Sequence, residues 1–316
     1  MRKVTISFIT VLLMIAAFST VTYAWLTLST SNSIEGIEIG TISDSKLEIS
    51  LDGITYYEHL PGELIMEQMK NLNLTDVTSI DGKNFNHGII KEAKEVIAGK
   101  DYLSLTFYFR TTALERDVYL ADNVSNEVTY DLTKDGTYIT SLGRKWRANY
   151  TFLYDENEYI HEGDIRTYYI KDAMRIAMHE QRFDSFDNRD DDALLSKIFD
   201  LTENEHRGYA KPYGAYDYLL KITGKPYKLP TEIPNTTYRL SQFDSTSPFA
   251  LDEASKVLTL IETNDVNEDG LKYYKGRLTI NVWIEGWDAD LFDGVHGDKV
   301  KIQFTFKAVR GLKENK

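Results

Sequence analysis

The sequence predicts an all-β fold, mainly an antiparallel β-sandwich of jelly-roll type, with a helix-and-loop insertion mid-chain and an N-terminal signal helix. Polar and apolar residues alternate along several stretches, Asp-Gly pairs punctuate those stretches, and a positive start leads into one long apolar run. Alternation buries one face of a strand, and Asp-Gly tolerates the positive φ of tight hairpins.

At the N-terminus, Arg2 and Lys3 precede the apolar run Val4 to Phe18, and Thr22-Tyr23-Ala24 offers the small residues a signal peptidase reads. Cleavage between Ala24 and Trp25 is expected, because Ser7, Thr10, Ser19 and Thr20 dilute the run. A retained anchor is the competing reading, since no charge appears from Val4 to Ile34. Residues 1–24 are thus a signal peptide or anchor, and residues 25–316 one exported β-sandwich domain interrupted at about 155–250. The expected location is secreted or on the cell surface.

Strands are expected at Gly36 to Ile42, Lys46 to Leu51 and, most clearly, YLSLTFYFR, where Leu103, Leu105, Phe107 and Phe109 face one way. Shorter candidates follow at Asp117 to Leu120, Val128 to Asp131, Thr137 to Thr140 and Ala148 to Tyr154. After the insertion come Val257 to Thr263, RLTINVWIEG and KVKIQFTFKA, the last with Val300, Ile302, Phe304 and Phe306 on one face. Within the insertion, the acidic start of DDDALLSKIFDL suits a helix that places Leu194, Leu195, Ile198 and Phe199 together. KDAMRIAMH reads as a strand through Met174, Ile176 and Met178.

Composition narrows function. A formal net charge of −13 disfavours nucleic acid and anionic membranes, because phosphates would be repelled. Membrane contact is expected only through an uncleaved signal segment. The chain has no cysteine, which excludes disulfides, thiolate metal sites and cysteine nucleophiles, and in an exported protein leans toward a bacterial source. The 21 tyrosines and 12% aromatic content argue against disorder.

Chemistry is sparse. The nucleophile-elbow, Walker, dinucleotide and HExxH patterns are missing, and the six histidines are scattered. A non-enzyme is expected, with no cofactor unless calcium binds. Two acidic loops bear on calcium. WDADLFDGVHGD offers Asp288, Asp290 and Asp293 between two strong strands, and DVNEDG offers Asp265, Asn267 and Asp269 at alternate positions. A solvated loop is the preferred reading of the first. A hairpin turn is preferred for the second, whose twelfth position is Gly276 rather than Glu. Tyr209, Tyr213, Tyr216 and Tyr218 suit either a sugar-stacking platform or the cover of a core.

Several phrases, KLEISLDG, LTDVTSIDGKNF, YLSLTFYFRTT, WIEGWDADLFDG and KVKIQFTF, together resemble a group of exported, uncharacterised β-sandwich surface proteins of low-GC Gram-positive bacteria and their wall-less relatives. More distantly, a signal segment, a short strand and a cysteine-free β body resemble the TasA/camelysin class of matrix proteins in architecture. That likeness implies a jelly-roll body and fibres built by passing an N-terminal strand to the next subunit. No catalytic residue carries over from it. The segment WLTLSTSNSIEGIEIG would then bind a neighbour through Trp25, Leu26, Leu28, Ile34, Ile37 and Ile39. The expected partner is a second copy or another cell-surface protein. The alternatives are a monomeric glycan-binding adhesion module, with Trp287 in its loops, and a secreted hydrolase ranked last.

Overall fold

The computed structural model describes residues 32–42, 46–89 and 95–313. The expected signal helix lies outside them, as do Ala24, Trp25, Leu26 and Leu28. Among the described residues no helix is long and apolar enough to cross a membrane.

The described chain is mostly β. In order, its strands are β1 (Ser33–Thr41), β2 (Glu48–Ser50), β3 (Asp76–Thr78), β4 (Asn86–His87), β5 (Leu103–Thr111) and β6 (Asp117–Leu120). Next come β7 (Tyr138–Ser141), β8 (Arg144–Arg147), β9 (Phe152–Asp155), β10 (Glu158–Ile160), β11 (Ile165–Tyr168) and β12 (Met174–Gln181). The last are β13 (Ser196–Phe199), β14 (Thr236–Thr237), β15 (Lys256–Thr259), β16 (Ile261–Val266), β17 (Lys272–Glu285) and β18 (Lys299–Val309). Two short helices, α1 (Gly62–Gln68) and α2 (Ala215–Thr223), interrupt them.

A five-stranded sheet has the order β1-β18-β6-β15, with β7 also on β18. A nine-stranded sheet is built on β17, which pairs with β5, β12, β16 and β3. Two hairpin-sized sheets, β9–β10 and β8–β11, complete the set. Most pairs are antiparallel, but β1–β18, β13–β14 and β3–β17 are parallel, so the sheets are mixed. The purely antiparallel expectation fails where strands far apart in sequence meet, because a long connection lets the chain return in the same direction.

One core serves both large sheets. β5 and β18 alternate buried and half-buried residues, and Phe109 meets Phe306 edge-on with ring centroids 5.0 Å apart. Each such apolar side chain removed from water contributes about 1.5–3 kcal/mol. The opposite face of the nine-stranded sheet is covered too: Trp283, Ala177 and Val77 pack with Phe85 and Tyr102.

The middle of the chain departs from the expected helix-and-loop insertion. KDAMRIAMH does supply a strand, and β12 lies at the centre of the large sheet, paired with β17 along its length. DDDALLSKIFDL is not a helix: Asp191–Ala193 makes one 3-10 turn, and β13 then pairs with β12. The apolar positions were too few to separate a helical face from a buried strand. Val128 to Asp131 forms no strand; Thr129 and Leu132 exchange backbone hydrogen bonds in a turn.

Candidate functional site

β1 is the element on which the binding expectation rests. Its residues alternate about one register irregularity between Ile34 and Gly36, which puts Ile34, Ile37, Ile39 and Thr41 inside. The three isoleucines expected to bind a partner are therefore buried in the protein's own core. The strand runs parallel to β18, pairing Ile34 with Val300, Ile37 with Ile302 and Ile39 with Phe304. β18 receives β7 and β6 by antiparallel pairing, while β1 is the end strand of the order.

The outer edge of β1 is tied at its two ends. Thr41 N–H donates to the Glu58 carbonyl (3.0 Å) and Leu60 N–H to the Ile39 carbonyl (3.0 Å), while Asn32 bridges to Leu74. Among the described residues no strand pairs with that edge between these ties. Gly40 permits the closure at one end, because a Cβ there would overlap the imidazole of His59. At the other end Glu35 pairs with Lys299 (2.5 Å) and accepts a hydrogen bond from Tyr130 Oη. Lys299, then Tyr130, hold the Glu35 carboxyl below its usual range, and burial with Glu35 pushes Tyr130 up to about 12. A cavity of about 610 Å³ lies over the strand, lined by Glu38, Gly40, His59, Asp122, Asp135 and Thr305 among others.

The acidic loop after β17 is built differently. Trp283 is fully buried, and its indole N–H donates to Glu285 Oε2 (2.9 Å) while the Trp287 backbone N–H donates to Oε1 (3.0 Å). Gly286 lies against the Gly88 backbone, where a Cβ on either residue would collide. Arg175 of β12, only 3% exposed, gives Nη2 to both Asp288 and Asp200, the latter at 2.9 Å. Arg207 clamps Asp290 Oδ1 through Nε (2.9 Å) and Nη2 (2.5 Å). Burial raises Glu285 and Asp288, the latter well above the usual carboxylate range, and the Arg175 charge opposes both shifts. Burial also works against the Arg175 charge, but Asp200 and Asp288 outweigh it and keep the guanidinium protonated.

The expected calcium ligands are consequently not brought together. Asp288 and Asp290 face arginines, which already supply the positive charge a cation would bring, and Asp293 accepts from Tyr218 Oη (2.7 Å). In the other loop, Asn267 Oδ1 accepts from the Asp269 and Leu271 backbone N–H groups in the turn between β16 and β17, and Asp265 pairs with Lys275 (2.5 Å). Among the described residues no three acidic or imidazole side chains form a group that could hold a metal ion. The tyrosine platform is likewise corrected. Tyr209, Tyr213 and Tyr218 are buried, and the hydroxyls of Tyr213, Tyr216 and Tyr218 are spent on His206 O, Tyr227 O and Asn149 Oδ1 respectively.

The chain matches no family model, no curated protein and no solved structure. Arg175 and Arg207, which organise the acidic corner, went unnoticed in the sequence because neither belongs to a motif. One signal could have found them: the loop after β17 carries Glu285, Asp288, Asp290 and Asp293 with no lysine or arginine among them. Buried carboxylates need a counter-charge, which had to come from elsewhere in the chain.

Proposed function

We propose that the chain is a subunit of an exported structural assembly, at the cell surface or in an extracellular matrix, in which copies are joined through the N-terminal strand. The observation that supports this most is the seat of β1: an end strand, parallel to β18, with its isoleucines in the core and its outer edge tied only near its two ends. A seat that takes this strand from its own chain takes an identical strand from a second copy with the same ladder and the same side-chain contacts. Exchange therefore costs little beyond reopening the link at residues 42–47. The body in this proposal is a sandwich of jelly-roll kind, and the architectural likeness to TasA/camelysin matrix proteins belongs to the same proposal. No catalysis is assigned.

Glu38 and Gln303 are partners in the β1–β18 register and lie on the outward face. Adjacent strands are ~4.8 Å apart, within the span of a disulfide. The chain has no native cysteine to interfere, so the variant E38C/Q303C reports which chain supplies the strand. Under assembly conditions, oxidation is expected to give a ladder of linked chains on a non-reducing gel, together with filaments in electron microscopy. Quantitative linkage within single chains, without filaments, would favour the monomeric adhesion module instead.

A further inference from the structure

A second cavity, of about 230 Å³, opens where segments distant in sequence converge. Tyr154 comes from β9, Asp172 from the 3-10 turn before β12, Thr202 and Asn204 from the loop after β13, Arg207 from a 3-10 turn, and Asp290 from the loop after β17. Asn126 completes the rim.

The charges in this cavity are internally balanced. Arg207 is committed to Asp290 Oδ1, to the carbonyls of Tyr154 and Ala289, and to the face of the Tyr154 ring at 3.7 Å. Asp172 Oδ1 takes the Lys171 ammonium at 2.8 Å. The second oxygen of each aspartate, the Tyr154 hydroxyl and the two asparagine amides remain, so acceptors and donors are interleaved around a small space. Burial raises the Asp290 carboxyl, and Arg207 opposes the shift.

We propose that this cavity binds a single neutral sugar ring. Each hydroxyl of a sugar both donates and accepts, which is what an interleaved lining requires. An anion would meet two carboxylates, and a metal ion would meet the Arg207 guanidinium. An apolar ligand would strand polar groups on every side. The volume is below the ~300–1,000 Å³ of drug-sized sites, which limits the occupant to one ring rather than a chain. This site is independent of strand exchange: it sits on the β9, β12 and β17 side of the molecule and shares no lining residue with the cavity over β1.

The test is saturation-transfer NMR on the full-length protein with glucose, galactose, mannose and N-acetylglucosamine as probes, and glucuronate as the anionic control. Transfer to a neutral sugar is expected, with half-saturation raised at least ~10-fold in Asn126→Ala/Asn204→Ala, an effect of about 1.4 kcal/mol. Both asparagines are exposed, so an unchanged thermal melt should accompany that loss. Asn126→Trp, which blocks the rim, serves as a second variant and should abolish transfer. No transfer from any of the four neutral sugars, transfer unaffected by both variants, or tighter binding of glucuronate than of glucose would overturn the proposal.

Discussion

Along the β1–β18 seam, Ile34, Ile37 and Ile39 are held by a backbone ladder and by apolar contact, and the charges nearby lie at the surface. At the corner after β17, Arg175, Asp200, Asp288 and Glu285 are charged or titratable groups buried almost completely. Apolar contact is undirected, and any strand with the same alternation meets it equally well. A buried ion pair tolerates little change, because removing one partner leaves the other charge without water or counter-ion. The seam is thus a joint that an identical strand can occupy, and the corner is a fixture that keeps β12, β17 and the loops around them in one arrangement.

The largest way to break that contrast is Arg175→Met. Loss of the guanidinium leaves Asp200 and Asp288 buried and facing each other, and a cost of about 3–5 kcal/mol in denaturant unfolding is expected. A loss below ~1 kcal/mol, the size typical of exposed pairs, would mean that the corner contributes no more than a surface salt bridge.

Two glycines sharpen the comparison at a smaller scale, since both sit where a Cβ has no room. At Gly286 the obstacle is the Gly88 backbone, whereas at Gly40 it is the imidazole of His59, the movable end of an exposed side chain. Gly286→Ala is expected to cost about 1–3 kcal/mol, as overpacking against fixed atoms does. Gly40→Ala should cost less, because the ring can swing outward, and His59→Ala in the same chain should remove most of what remains. Equal costs at the two positions, measured by the same denaturant titration, would show the seam to be as rigid as the corner.

How much of this was legible follows from the number of covered faces. β5 and β18 were readable because each has one buried and one half-exposed face, which writes a period of two into the residues. Asp-Gly pairs marked real turns at Gly53, Gly82 and Gly270, all with positive φ. β12 is buried on both faces, so Arg175 and His179 stand among apolar residues without exposing their role. The parallel return of β1 onto β18 was equally hidden, because register between strands more than 250 residues apart leaves no local pattern. Aspartates at alternate positions resembled a cation site from the sequence alone; only the fold reveals that arginines from two other segments reach them.

The smallest effect expected is a pH dependence at His179, and it bears on whether burial of polar groups sets the large sheet apart from the seam. His179 of β12 is 4% exposed, with Nε2 2.8 Å from the Gly82 carbonyl and Nδ1 2.8 Å from Ser196 Oγ. A carbonyl can only accept, so Nε2 carries the proton and the serine hydroxyl donates to Nδ1. Burial lowers the pKa of this imidazole, assisted by Lys83 and opposed by the Gly82 carbonyl and Asp81. The unfolded chain therefore takes up a proton at a higher pH than the folded one, near the free value of ~6.5. Stability contributed by neutral His179 is complete above that value and is lost as pH falls from it toward the lowered folded pKa. The slope is at most about 1.4 kcal/mol per pH unit. Raised carboxyls such as Glu285 and Asp288 act in the opposite sense, stabilising the fold as pH falls, so wild-type stability alone would mix the two. The difference between wild type and His179→Gln cancels the carboxyls, and that difference should shrink as pH is lowered from 7 to 5. A constant difference across this range would mean that the imidazole titrates as it does in water, and that β12 is no drier there than the edge of β1.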